Sequence, residues 1–218
     1  MHSQTVEDYL KTILLLQRRQ GQVTTSALAE QLKIAPASVT GMLKKLAQLN
    51  LVLHEPYQGV TLTEAGHKIA LEVLRHHRLV ELYLAEALGV PWDQVHDEAE
   101  KWEHVLSERM EAQMDKLLGY PTADPHGSPI PTPHGEIAAP NKLRLTDLQP
   151  GQQATIIEVR DDDPALLRYM AEKALFPKTR IRLVAIDPLG DYFTVIVNEV
   201  NHTLGRAASE QILIADIA

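Results

Sequence analysis

The run Pro36–Thr63, "PASVTGMLKKLAQLNLVLHEPYQGVTLT", decides the fold. Pro36 suits the first turn of a helix, where its missing N–H costs nothing. It opens the helix "ASVTGMLKKLAQLN". The segment "LVLHEPYQGVTLT" then reads as two short strands around a tip containing Pro and Gly. Upstream, Thr24 or Thr25 caps a short helix, "SALAEQL", and "KIAP" makes a tight connection. Earlier still, Val6, Tyr9, Leu10, Ile13, Leu14 and Leu16 recur at helical spacing over residues 3–20, and Gly21 ends that helix. Helix, short helix, tight turn, second helix and hairpin, in that order, predict a winged helix-turn-helix over residues 1–70.

Beyond the hairpin, Thr63 and Glu64 start a long helix that runs to about Leu88 and Gly89. Pro91 starts another, from Trp92 to Leu118, ended by Gly119. Their apolar residues (Leu71, Leu74 and Leu82; Val95, Trp102, Val105, Leu106, Met110, Met114 and Leu117) exceed what one small helical core needs. Residues 71–120 are therefore expected to form a helical domain with a homodimer interface, because helix-turn-helix proteins pair two recognition helices. The stretch Tyr120–Asn141 holds 6 of the 13 prolines. It reads as a stiff, extended linker over 121–141. Residues 142–218 switch to five short β-rich runs interrupted by one helix, "PALLRYMAEKA", which suggests a small barrel. The fold class expected is mainly α with a small β domain.

The 218 residues include no Cys, so disulfides and thiolate metal sites are excluded, which suits a reducing cytosol. The start "MHSQTVEDYL" shows no signal peptide, and apolar clusters such as "ILLL" are far too short to span a bilayer. A cytoplasmic protein is expected. The net charge of −8 is unevenly spread. Residues 1–80 hold 9 Lys+Arg against 6 Asp+Glu, whereas residues 81–140 hold 3 against 12. A basic N-terminal third suits a polyanion, and an acidic middle suits cations.

For DNA, the start of the second helix presents Pro36, Ala37, Ser38, Thr40 and Gly41, small enough for close approach to base edges. Lys44 and Lys45 lie a turn later, within reach of phosphate, and His54, Tyr57 and Gln58 mark the wing. That helix has no Arg for a bidentate guanine contact, so specificity should lean on DNA shape.

The acidic middle contains "VHDEAEKWEHVLSERME", Val95–Glu111. On a helix, His96, Glu100, Glu103 and His104 fall at roughly 0°, 40°, 340° and 80°, one face on which acids and imidazoles converge. Such a face needs water or a cation. Glu98, Glu108 and Glu111 read as solvent-exposed, and Trp92 and Trp102 as core.

At "VEDYLKTI", "APASVTGMLKKL", "HHRLVELYL", "VHDEAEKWEHVLS" and "DPHGSPIP" the chain resembles the diphtheria toxin repressor family of metal-dependent transcriptional repressors, manganese regulators included. The likeness covers nearly the whole chain, and the C-terminal part is similar, more weakly, to the family's SH3-like domain. The resemblance implies a primary metal site of Asp8, Glu100, Glu103 and His104. Iron-type members carry Met and Cys where this chain has Asp8 and Glu100, so the harder ligand set favours Mn(II), with Fe(II) as the alternative. It also implies an ancillary site of His77, Glu81 and His96, completed from the barrel by Asp161, Asp162 or Asp163, hence two divalent ions per chain. Some short manganese regulators carry Glu where this chain has Lys11, which speaks against two closely spaced ions here. His76 is taken as surface, and His2, His67, His126, His134 and His202 as incidental.

The function expected is a metal-activated repressor, not an enzyme. As a homodimer it would bind palindromic operator DNA when loaded with Mn(II) or Fe(II) and control metal-uptake genes. Two rivals are a DNA-binding regulator of a non-metal effector and a metallohydrolase that uses the same Glu/His cluster around an activated water.

Overall fold

In the computed structural model, which describes residues 3–55, 59–160 and 163–218, helix α1 (Gln4–Gln20) buries Val6, Leu10, Ile13 and Leu14. Those four sit at the spacing that lines one face of a helix. They pack with Leu28 of α2 (Thr25–Gln31) and Val39, Leu43 and Leu46 of α3 (Pro36–Gln48). The Thr24 hydroxyl caps α2 by accepting the Ala27 N–H at 3.1 Å, and Pro36 opens α3 as the sequence predicts. Strands β1 (Val52–Glu55) and β2 (Gly59–Leu62) pair antiparallel, Val52 opposite Leu62 and His54 opposite Val60. Pro56, Tyr57 and Gln58, the expected wing tip, lie outside the described residues.

Helix α4 (Glu64–Leu88) leaves the hairpin at a point of very close approach. A Cβ on Gly66 would stand 2.0 Å from the Leu51 carbonyl oxygen, so only glycine lets the helix start this near the hairpin's base. The chain groups into two units. Met1–His77, Lys101–Glu111 and Pro131–Pro140 make the first; Arg78–Glu100, Ala112–Ile130 and Asn141–Ala218 make the second.

One expected helix is two. Instead of running from Trp92 to Leu118, the chain forms α5 (Val95–Trp102), a turn, and α6 (Glu108–Leu117). The Val105 and Leu106 N–H groups both reach back to the Trp102 carbonyl, and Ser107 restarts the helix, accepting the Glu111 N–H on its carbonyl at 2.9 Å. Leu71, Leu74, Leu82, Val95 and Met114 are buried, whereas Val105, at 73%, Met110 and Leu117 are exposed, so only part of the apolar surplus seen in the sequence is consumed within the chain.

The proline-rich stretch is likewise not a free linker. The Asp124 carboxylate accepts the N–H groups of His126 and Ser128, each at 2.9 Å, closing a tight turn. Ile130 N–H bonds Thr122 O, and Val159 N–H bonds His126 O at 2.8 Å, which ties the turn to the sheet of the second unit. Gly127, at φ +91°, sits so close that a Cβ would meet the Ile157 carbonyl oxygen at 1.9 Å. Proline and glycine here shape a docked turn rather than a spacer.

The C-terminal sheet has five antiparallel strands in the order β6-β5-β4-β3-β7: β3 (Gln153–Val159), β4 (Arg180–Ile186), β5 (Tyr192–Val197), β6 (Val200–Gly205) and β7 (Ile212–Ala215). Alternate residues such as Ile181 and Leu183, or Phe193, Val195 and Val197, point into one core with Leu167 and Met170 of α7 (Pro164–Glu172). A short α8 (Arg206–Ser209) links β6 to β7. No helix among the described residues is long and apolar enough to cross a membrane.

Candidate functional site

The helix break at residue 103 delivers two side chains to α1. Glu103 is 1% exposed, and its carboxylate accepts from Lys11 Nζ at 2.6 and 2.8 Å and also bonds the His77 ring. His104 follows it. Its Nε2 lies 2.8 Å from Asp8 Oδ1 and 3.3 Å from Glu103 Oε1, while Nδ1 lies 2.7 Å from Glu7 Oε2. Asp8, Glu103 and His104 each aim one donor atom at a common point, all within 4.8 Å of one another. Two carboxylate oxygens and an imidazole nitrogen gathered in this way form a donor set that suits a borderline-to-hard divalent cation. The residues present fit a metal ion.

Around this centre stands a buried charge network. His76 bonds the Glu103 carbonyl at 3.1 Å and Glu111 Oε2 at 3.2 Å, and Arg75 bonds both Glu111 and, at 2.8 Å, the Pro131 carbonyl. Burial pulls the His76 pKa down, but the bonds to Glu111 and to the Glu103 carbonyl, with the charges of Glu111 and Glu72, carry it above its ordinary value. Glu111 is held below the usual carboxylate range, first by its bond to His76 and, against the opposing effect of burial, by Arg75. His76 is therefore buried rather than at the surface, and Glu111 is a partner in an ion pair rather than solvated. Both expectations are corrected for the same reason: α4 and the start of α6 bring these groups together within the first unit, which no local pattern reveals.

The second unit holds a separate cluster. Glu81, Asp124 and His126 are all buried, with donor atoms again within 4.8 Å of one another. His126, 0% exposed, donates from Nε2 to the Trp92 carbonyl at 2.7 Å, because a carbonyl can only accept. In a neutral ring that leaves the lone pair on Nδ1. The Trp92 ring stacks on it at 5.4 Å and packs against Phe176 at 4.8 Å. Arg78 Nε stands 3.5 Å from Asp124 Oδ2. His126, expected to be incidental, is instead fully buried in this cluster. Asp124 and His126 both lie in "DPHGSPIP", where neither is expected as a site residue; an Asp and a His two apart in a Pro/Gly turn are the signal that pairs them.

The remaining expected ligands are placed as follows. Glu100 belongs to the second unit, 3.7 Å from His96 on α5, and His96 Nδ1 is 3.2 Å from Glu81 Oε1. His77 belongs to the first unit and bonds Glu103. Asp161 and Asp162 lie outside the described residues. Asp163 caps α7, its carboxylate accepting the Ala165 N–H at 2.8 Å.

On α3, Val39, Leu43 and Leu46 face the core, while Pro36, Ala37, Ser38, Gly41, Lys44 and Lys45 are exposed on the other side. Thr40 is half-buried, and its hydroxyl donates to the Pro36 carbonyl at 3.0 Å. The free face is thus small, uncharged at its start and basic a turn later, as phosphate-flanked base edges require.

Comparison with known proteins places this geometry. Residues 1–60 match the model described as the iron dependent repressor N-terminal DNA binding domain. Residues 63–132 match the iron dependent repressor metal binding and dimerisation domain, and residues 143–216 the FeoA domain. The chain is 31% identical over 212 residues to the iron-dependent repressor IdeR of Mycobacterium leprae, 92% of each chain being covered. It is 33% identical over 127 residues to the diphtheria toxin repressor of Corynebacterium diphtheriae, covering 58% of this chain and 56% of that protein. Among solved structures, a manganese-dependent transcriptional repressor in complex with manganese aligns with a TM-score of 0.89 and 36% identity, covering 96% of this chain and 98% of the other. With a DNA-binding domain at its N-terminus and donor atoms gathered beside it, the chain belongs to the iron-dependent, diphtheria-toxin-repressor family and is a metal-dependent transcriptional repressor.

Proposed function

We propose that the chain is activated by Mn(II), with Fe(II) as the second choice, to bind palindromic operator DNA as a cytoplasmic homodimer that controls metal-uptake genes. The observation that carries this reading is the convergence of Asp8, from α1, with Glu103 and His104, from the turn after α5. Helix α1 packs on the same core as α3, so holding Asp8 against the turn fixes the orientation of the reading helix. A bound divalent ion supplies the positive charge that makes close approach of Asp8 and Glu103 favourable. Without it, Lys11 balances Glu103 and α1 is tied to the turn by side-chain bonds, so a bound ion shifts the population toward the held arrangement. In a dimer, holding α1 sets the two recognition helices near the ~34 Å separation of successive major grooves.

The donor set is oxygen and imidazole throughout, with no thiolate in the chain, which favours Mn(II) or Fe(II) over softer ions. A manganese-bound relative and an iron-dependent one bracket the same choice. Co(II), Ni(II) and Zn(II) bind oxygen/nitrogen sites more tightly in vitro regardless. The buried carboxylates serve here as ligands rather than as the acid and base of a hydrolase. Glu81, Asp124 and His126 are the better second ion position, since all three are buried and the His126 tautomer is fixed by Trp92. Its rival within the second unit is Glu81 with His96, completed by Asp161 or Asp162. Counting bound Mn(II) in His126→Ala and His96→Ala separates them: only the true ligand loses an ion.

The decisive test is selection of duplexes from a random pool, then binding of the selected operator across divalent ions and in chelator, with Glu103→Ala as control. Tight binding only with metal, lost in Glu103→Ala, supports the proposal. Unchanged affinity in chelator would instead support the regulator of a non-metal effector.

A further inference from the structure

We infer that Glu7 is a positioning residue that fixes which nitrogen of His104 is offered to a cation, an inference that rests on the Asp8/Glu103/His104 site proposed above. The ring of His104 lies between two differently placed acids. On one side Nε2 faces Asp8 Oδ1 at 2.8 Å and Glu103 Oε1 at 3.3 Å; on the other, Nδ1 faces Glu7 Oε2 at 2.7 Å. A neutral imidazole carries one N–H and one lone pair, and only the lone pair can bind a cation.

Nothing intrinsic to the ring puts the proton on Nδ1. Asp8 and Glu103 both attract it to Nε2, the wrong side, where it would sit on the point at which their oxygens converge. A carboxylate facing Nδ1 gives that proton an equally close acceptor on the far side. When a cation takes the Nε2 side, the N–H is held at Nδ1 against Glu7 and the Nε2 lone pair is left for the ion. This is the carboxylate–imidazole arrangement that orients metal-binding histidines generally. Glu7 cannot itself be a ligand there, since the ring separates its carboxylate from the other donors.

The bland account of Glu7 is an acid in the first turn of α1, placed to complement the helix dipole. An acid serving only that purpose would be solvated. Instead the Glu7 side chain is 15% exposed and bonds a ring that is 5% exposed, 97 residues away in sequence. Asp8, its neighbour, is 37% exposed and faces the other nitrogen. Two consecutive acids of "VED" thus divide the two nitrogens of one histidine between them.

The test uses the full chain with MnCl2 and ZnCl2. Glu7→Leu is expected to weaken Mn(II) binding by about 10- to 100-fold in calorimetry, the range typical of lost outer partners. Glu7→Gln, whose amide oxygen still accepts the Nδ1–H, should recover most of that affinity. A purely structural role would not predict the ring signature: in ¹⁵N-histidine spectra of the Zn(II)-loaded wild type, His104 should show a protonated Nδ1 and a metal-bound Nε2. A His104 ring bound to metal through Nδ1 in the wild type would overturn the inference without any variant. So would Glu7→Leu binding Mn(II) within about twofold of wild type, well below the expected loss. His104→Ala separates the levels of failure. If it binds Mn(II) like wild type, the site itself is wrong. If it loses the ion while Glu7→Leu does not, only the role of Glu7 falls.

Discussion

Replacing Lys11 by Met, a side chain of similar length without charge, tests the balance of charge at the centre. In the wild type the ammonium lies 2.6 and 2.8 Å from the two oxygens of Glu103, whose side chain is fully buried. Deleting one member of a buried pair leaves an uncompensated charge and costs about 3–5 kcal/mol. The remaining bond from His77 places this case near the low end, about 3 kcal/mol. For a chain of this size that lowers the melting temperature of the metal-free protein by roughly 6–12 °C. The sign reverses for metal. A unit positive charge about 4 Å from a divalent cation opposes it by up to about 8 kcal/mol at an effective dielectric of 20, twice the value for two unit charges. Relaxation and screening reduce this, so Mn(II) should bind about 10-fold or more tightly in Lys11→Met, or at least 1.4 kcal/mol. The assay is calorimetric melting in chelator and at stepped MnCl2, with titration calorimetry for affinity. Metal-free Lys11→Met should melt lower and close the gap as Mn(II) is added. If the metal-free melting point does not fall, or Mn(II) binds no more tightly, the view of Lys11 as the centre's resident counter-charge is refuted.

Gly127→Ala, which must both adopt φ +91° and clear the Ile157 carbonyl, should cost at least about 2 kcal/mol in urea unfolding and reduce ion binding by the Glu81 cluster. Gly119→Ala, at φ +74° in open space, should cost only about 1 kcal/mol. The depressed pKa of Glu111 contributes stability that is fully present above its unfolded value of about 4.3 and is lost as pH falls through the lower folded value. Glu111→Gln should therefore be less stable than wild type at pH 7, and the two unfolding curves should converge below pH 4. Lys44→Ala and Lys45→Ala should each weaken operator binding across all sequences alike and reduce the salt slope by about 1; a sequence-selective loss would mean base contact instead.

The winged helix was legible because its evidence is local: the face Val6, Leu10, Ile13 and Leu14, the Thr24 cap, and Pro36 at a first turn each declare themselves within a few residues. Five strands and α7 in the C-terminal part were legible for the same reason. The interruption after Trp102 was not. "EHVLS" is compatible with helix, and the turn is held by partners far away in sequence, Lys11 and His77 on Glu103 and Glu7 and Asp8 on His104. The convergence of Glu103 and His104 was anticipated as a property of one helical face, yet it arises from the loss of helix at that point. His126 and the proline-rich turn failed similarly, since their burial depends on β3 and Trp92. Distant contacts leave no periodic trace in a single sequence.

The contact of Gly66 with Leu51 has a consequence for how such a reader of DNA can diversify. With no gap between the root of the hairpin and the start of α4, the hairpin's pitch is inherited from that long rod rather than chosen by its own loop. Substitutions or length changes at the tip then alter what is touched without re-aiming the arm. A change in the loop is thereby separated from the mounting, which Gly66 and Leu51 hold as it is.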